Sequence, residues 1–165
     1  MSKKKTKYKK LKSFIQTKYN KNSKSTSLSG KIGYFGKYLI FQLKYDDNDK
    51  IKGYTFENFK RELSANTENE SVLGKKPKTE FLNPDLVSIT FDVYFSAECG
   101  INVKKQLDNL GKCIENGYVD YLVIGGEKVG KNKFIIKSAS ESWNTILSHG
   151  ELVEATVSLT MEEYV

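Results

Sequence analysis

Val87-Ser88-Ile89-Thr90-Phe91-Asp92-Val93-Tyr94-Phe95 places an apolar side chain at every second position and a polar one at most positions between. Successive side chains of an extended strand point to opposite faces, so this stretch predicts a strand with one buried face. A second such stretch closes the chain. Val153, Ala155, Val157, Leu159 and Met161 fall on one side, and Glu154, Thr156, Ser158 and Thr160 on the other. Earlier, Leu39, Phe41, Leu43 and Tyr45 share one face opposite Gln42 and Lys44, the same period of two.

Between the strongest strands lies one helix signal. Asn102 is a fitting N-cap, Val103, Leu107, Leu110 and Ile114 recur at helical spacing, and Gly117 follows as a stop. Residues 119–124 read as one short strand, Gly125-Gly126-Glu127-Lys128-Val129-Gly130 as a glycine hairpin, and Lys133–Trp143 as a further strand. Asp46-Asp47-Asn48-Asp49 reads as a turn. Residues 50–80 are polar and mixed, and predict a long, partly ordered loop punctuated near its end by Gly74 and Pro77. Short connections favour antiparallel pairing, so the order of elements predicts an α+β fold, largely antiparallel.

The 165 residues suit one domain with an appendage. The net charge of +7 is an average over two unlike parts. Residues 1–45 hold thirteen lysines and no acid; the remainder holds 14 basic and 20 acidic groups, a balance of −6, and 13 − 6 gives +7. The chain divides into a basic arm, residues 1–30, and a domain, residues 31–165. No run approaches the roughly 20 apolar residues that span a bilayer, and no apolar segment follows the basic start, so neither a membrane span nor a secretory leader is expected. The expected place of synthesis is a cytoplasm. There Cys99 and Cys113, which form no CxxC, are expected to be buried thiols.

Motifs that could carry chemistry fall short on spacing or context. Gly125–Asn132 nearly fits GxxxxGK[ST], but Asn132 replaces the hydroxyl that would hold Mg²⁺, and Phe134-Ile135-Ile136 predicts a strand where the phosphates need a helix N-terminus. His149 is the only histidine and sits in a turn-like Leu147-Ser148-His149-Gly150, without the companions a zinc site requires. Asp46, Asp47 and Asp49 resemble a fragment of a calcium loop but lack its later glycine and bidentate glutamate. No serine lies in a nucleophile-elbow pattern. The reading is a protein that is not an enzyme, with no catalytic, cofactor-binding or metal-ligating residue and no cofactor.

The arm is the segment that points to a partner. Lys3, Lys4, Lys5, Lys7 and Lys10 accompany Tyr8, Leu11, Phe14, Ile15 and Tyr19, of which Tyr8, Leu11, Ile15 and Tyr19 keep helical spacing. Such a segment folds when it can bury its apolar side against something else. Nucleic acid could attract it, yet the chain has one arginine, Arg61, against 26 lysines, whereas bidentate phosphate and base contacts favour arginine. An acidic protein neighbour is the favoured partner. A small basic nucleic-acid-binding module is the rival.

In order along the chain stand Gly36-Lys37-Tyr38-Leu39-Ile40-Phe41, Gly74-Lys75-Lys76-Pro77 with Glu80-Phe81, and Ser88-Ile89-Thr90-Phe91-Asp92-Val93. The Gly100 turn, the helix with Leu107 and Leu110, and Gly117 come next. Leu122-Val123-Ile124-Gly125-Gly126-Glu127-Lys128-Val129-Gly130 precedes Phe134-Ile135-Ile136, and Gly150 precedes a strand ending Leu159-Thr160-Met161-Glu162-Glu163-Tyr164. With these landmarks the chain from about Lys31 onward resembles the tail protein U family of contractile-tailed phages. The arm lies outside that pattern. The resemblance implies a tail-tube-like antiparallel β-sandwich or barrel with one packed helix, no catalytic residues, and the chain itself as first partner, in a ring of six copies. It further implies assembly in a bacterial cytoplasm and a place in the tail of a virion or phage-tail-like bacteriocin (tailocin), against tail tube, hub, baseplate or sheath. A tail terminator at the head-proximal end is the alternative within this class.

Overall fold

A computed structural model describes residues 30–45 and 50–165. The basic arm and the Asp46–Asp49 turn lie outside the described residues. Twelve strands are described: β1 Gly30–Phe35, β2 Leu39–Tyr45, β3 Ile51–Tyr54, β4 Phe56–Glu62, β5 Ala65–Glu70, β6 Lys78–Pro84, β7 Ser88–Ser96, β8 Val119–Asp120, β9 Leu122–Ile124, β10 Glu127–Lys128, β11 Lys133–Ile146 and β12 Leu152–Tyr164. One α-helix, α1 Val103–Glu115, follows β7.

The strands form three sheets, antiparallel throughout: β10-β9-β1-β2-β3, β4-β7-β12-β11-β8, and the separate pair β5-β6. Thr55 alone carries the chain from β3 in the first sheet to β4 in the second, so the two curl toward one another as a half-barrel. The expected α+β class and antiparallel pairing are met.

The core follows from the period-two stretches. On β7, Ile89, Phe91, Val93 and Phe95 are buried and register with Met161, Leu159, Val157 and Ala155 of β12, all buried. The first sheet meets this face through aromatic rings: Phe41 and Phe91 lie edge to face at 5.8 Å, and Tyr54 and Phe95 at 4.9 Å. Such geometry aligns ring edges with ring faces and adds to the burial itself. Helix α1 packs on β7, β11 and β12 with Val103, Leu107, Leu110 and Cys113 buried. Its start is fixed by Asn102, whose side chain accepts a hydrogen bond from the Lys105 amide at 3.0 Å.

Several sequence-based expectations change. Residues 50–80 are not a long loop: they hold β3, β4 and β5 and the start of β6. Residues 119–124 are two strands rather than one, because β8 joins β11 while β9 joins β1 in the other sheet. In β12 the buried side chain near the start is Leu152 in place of Val153, since the pairing with β11 shifts register there, from Thr145↔Glu154 to Ile146↔Leu152. β1 extends the first sheet ahead of the strand expected from Lys37. Of the two thiols only Cys113 is buried; Cys99 is half-buried in a 3-10 turn.

Candidate interaction surfaces

Exposed apolar side chains occur at several described places, Ile40, Tyr164 and Val165 among them, and two regions hold three or more each. The first is the β5–β6 hairpin. Every residue from Asn58 to Pro84 is exposed. Phe81 and Leu82 on β6 are exposed, and at the tip Val72 and Leu73 project beside Gly74, Lys75 and Lys76, with Leu73 fully exposed. The pair is held by its ladder from Ala65↔Pro84 to Glu70↔Lys78, by Asn66 donating to Asn83 at 2.9 Å and Asp85 at 2.6 Å, and by the Thr79 hydroxyl donating to Asn69 at 2.7 Å, while a Lys78–Glu80 ion pair runs along β6 itself. Exposed ion pairs of this kind contribute at most about 1 kcal/mol. A two-stranded ribbon with no apolar face against a core is marginal on its own.

The second region is the far end of the β11–β12 ribbon. Trp143 registers with buried Ala155, so it lies on the face that elsewhere forms the core, yet it is 50% exposed. Ile146 and Leu147 beside it are likewise half exposed. The first sheet and α1 stop short of this end: Lys104 of α1 reaches it only as a cation 5.4 Å from the Trp143 ring centre. Acids surround it. Glu141 accepts from Trp143 Nε1 at 3.1 Å, Glu154 accepts from the Thr145 hydroxyl at 2.7 Å, and Glu151 is exposed. β8 pairs only with Phe134 and Ile135, so beyond Ile135 the second edge of β11 has no strand partner among the described residues. An unpaired edge is a template for another chain.

The glycine motif takes its place as a hairpin. Gly125 and Gly126 both have positive φ, the conformation a two-residue β9–β10 turn demands. Strand β11 follows Asn132, so the loop opens onto a strand and not onto a helix. Asn132 donates to Glu163 at 2.9 Å, tying the loop to β12. His149 has a positive φ in the short turn between β11 and β12. Among the described residues no group of three or more His, Cys, Asp or Glu could hold a metal ion. Among them, too, no helix is long and apolar enough to cross a membrane.

Perturbed ionisable groups are structural in character. Burial pushes the Cys113 thiol up to about 11. Burial raises Tyr54, whose hydroxyl accepts from the Ile40 amide at 3.0 Å. Burial first, and then the neighbouring Glu154, raises Tyr94. Tyr118 is raised chiefly by its hydrogen bond to Asp120, at 2.8 Å.

The arm residues named from sequence, Lys3, Lys4, Lys5, Lys7, Tyr8, Lys10, Leu11, Phe14, Ile15 and Tyr19, lie outside the described residues, as do Asp46, Asp47 and Asp49. The exposed apolar groups of the two described regions were not singled out from sequence. A signal existed in the Val72-Leu73 pair amid a polar stretch, and in Trp143 amid serines and acids.

Among curated proteins none matches. Solved structures match at low identity, among them two from gene transfer agent particles. One is the tail of an empty gene transfer agent particle refined with C6 symmetry, with 16% identity, 80% of this chain and 95% of that chain covered, and a TM-score of 0.43. The other is the virion of a native gene transfer agent particle, with the same identity and coverage and a TM-score of 0.41. The Phage P2 GpU family model matches residues 50–165, from β3 through the exposed hairpin, the core strands and the helix to the C-terminus. With more than half of its length so matched, this chain belongs to the Phage P2 GpU family.

Proposed function

We propose that this chain, a structural component of a phage tail by its family, forms a ring of six identical copies that links the tail tube or central hub to the baseplate or sheath. The observation that carries the reading is the pair of exposed apolar regions on one small domain, the β5–β6 hairpin and the Trp143 end of β11. Large apolar side chains gathered in patches on a surface mark contact sites. Two unlike patches on one chain suit a head-to-tail contact, which closes a ring when repeated through the right rotation. The proposed domain for this contact is residues 31–165. Assembly takes place in the bacterial cytoplasm.

The arm, residues 1–30, adds a second attachment. Its lysines favour an acidic neighbour in the tail, and its apolar residues supply docking that exposed ion pairs alone cannot. No enzymatic step is assigned to the chain, in keeping with a structural family.

Cryo-electron microscopy of the purified particle tests the ring. Six copies around the tail axis, at the junction of tube or hub with baseplate or sheath, is the expected image. A single peripheral copy would sink the reading. Deleting residues 2–29 tests the arm: the domain is expected to stay folded while incorporation into the particle is lost, and normal incorporation would show the arm to be dispensable.

A further inference from the structure

We infer that the two apolar regions are the two halves of one contact: the tip of the β5–β6 hairpin of one copy seats on the Trp143 end of β11 in the next copy of the ring. This rests on the ring reading and names its interface.

Charge and shape argue for a second copy as the occupant. The tip joins Val72 and Leu73 to Lys75 and Lys76, with no acid between Ser71 and Pro77. The β11 end joins Trp143, Ile146 and Leu147 to Glu141 and Glu151. Apolar therefore meets apolar and lysine meets glutamate when the tip of one copy approaches the end of another. Two tips, or two β11 ends, would bring like charges together, so the match pairs unlike patches of two copies, and repeated in one direction around an axis that contact closes a ring. Each patch also lacks internal support. Leu73 is fully exposed on a hairpin whose strands touch no core, and the β11 end continues the core face past its cover beside an unpaired strand edge. The Lys104 ammonium beside Trp143 is paired with Asp108 at 3.2 Å, so Glu141 and Glu151 are the acids set to meet a partner's lysines.

Disulfide trapping in purified particles tests the contact, with full-length Leu73→Cys/Ile146→Cys beside each single variant and the wild-type chain, which carries only Cys99 and Cys113. On mild oxidation the double variant is expected to run as a ladder of linked copies up to the full ring, while the single variants and wild type stay single. Charge reversal supplies the second arm. Lys75→Glu/Lys76→Glu and Glu141→Lys/Glu151→Lys are each expected to lower ring assembly about tenfold, and their combination to restore it. Because all these positions are exposed, unchanged thermal melting of the free chain is the check on folding. Rings that form without a ladder, and without response to either charge reversal, would overturn this interface and leave the ring standing. Trapping of Leu73→Cys on a different tail protein would overturn the second copy as occupant. Particles with no ring of this chain would overturn both.

Discussion

The β7–β12 ribbon and the β5–β6 ribbon are both antiparallel, yet they are held in different ways. In the first, Ile89, Phe91, Val93 and Phe95 lie against Met161, Leu159, Val157 and Ala155 and are closed from water by the opposite sheet and α1. In the second, every residue of both strands is exposed, and Thr67↔Phe81 or Asn69↔Thr79 pairs face solvent. Pairing alone sets the shape of a ribbon; burial sets its free energy. The difference separates what this chain can stabilise by itself from what it leaves to an assembly.

The largest effect should come from the buried ribbon. Phe91→Ala removes a ring packed against Phe41, Phe56 and Phe59, and should lower unfolding free energy by about 3–5 kcal/mol, measured by denaturant titration. Leu73→Ala in the exposed ribbon should change it by no more than about 0.5 kcal/mol. Equal losses at the two sites would erase the comparison.

Gly53→Ala probes the β2–β3 pair. Gly53 has φ +102, and a Cβ there would meet the Gln42 carbonyl oxygen at 2.0 Å, a backbone atom that cannot swing aside. A loss of about 1–3 kcal/mol in the same titration is expected. Asn102→Ala removes the helix cap and should cost about 1 kcal/mol, shifting the thermal midpoint by a few degrees.

The alkaline limb gives a further, smaller measure of the buried region. The Cys113 thiol is raised from an ordinary 9.0 to about 11. A group whose folded value is raised contributes stability that is fully present below its unfolded value and is lost as pH rises through the folded one. Stability should therefore be flat up to about pH 9 and fall between about pH 9 and 11. Buried Tyr54 and half-buried Tyr94 add to the loss in the same direction. Cys113→Ala should flatten part of this slope, and an unchanged slope would place the effect on the tyrosines.

The same contrast explains what could be read in the sequence. β7, most of β12 and α1 were legible because each turns an apolar stripe to the core, and a stripe leaves a period in the sequence. The β5–β6 hairpin buries neither face, so Ala65–Glu70 shows no alternation and reads as a polar loop. β1 was missed because Gly30 and Gly33 interrupt it; the Gly33 position is closed to a side chain by the Val123 carbonyl oxygen, at 2.5 Å from a would-be Cβ. The division at Tyr121 depends on β8 and β9 joining opposite sheets, a long-range choice that six consecutive residues do not encode. Composition drew attention to the lysine-rich arm. The exposed Leu73 and Trp143 regions needed the fold, since an apolar side chain shows itself to be uncovered only once its neighbours are placed.

Amide hydrogen exchange across residues 65–84, in the free chain and in the purified particle, tests most directly the claim that the exposed ribbon is completed by assembly. The account predicts fast exchange in the free chain and at least about a hundredfold slowing in the particle, with β7 and β12 protected in both. Equal exchange of the hairpin in the two states would contradict it.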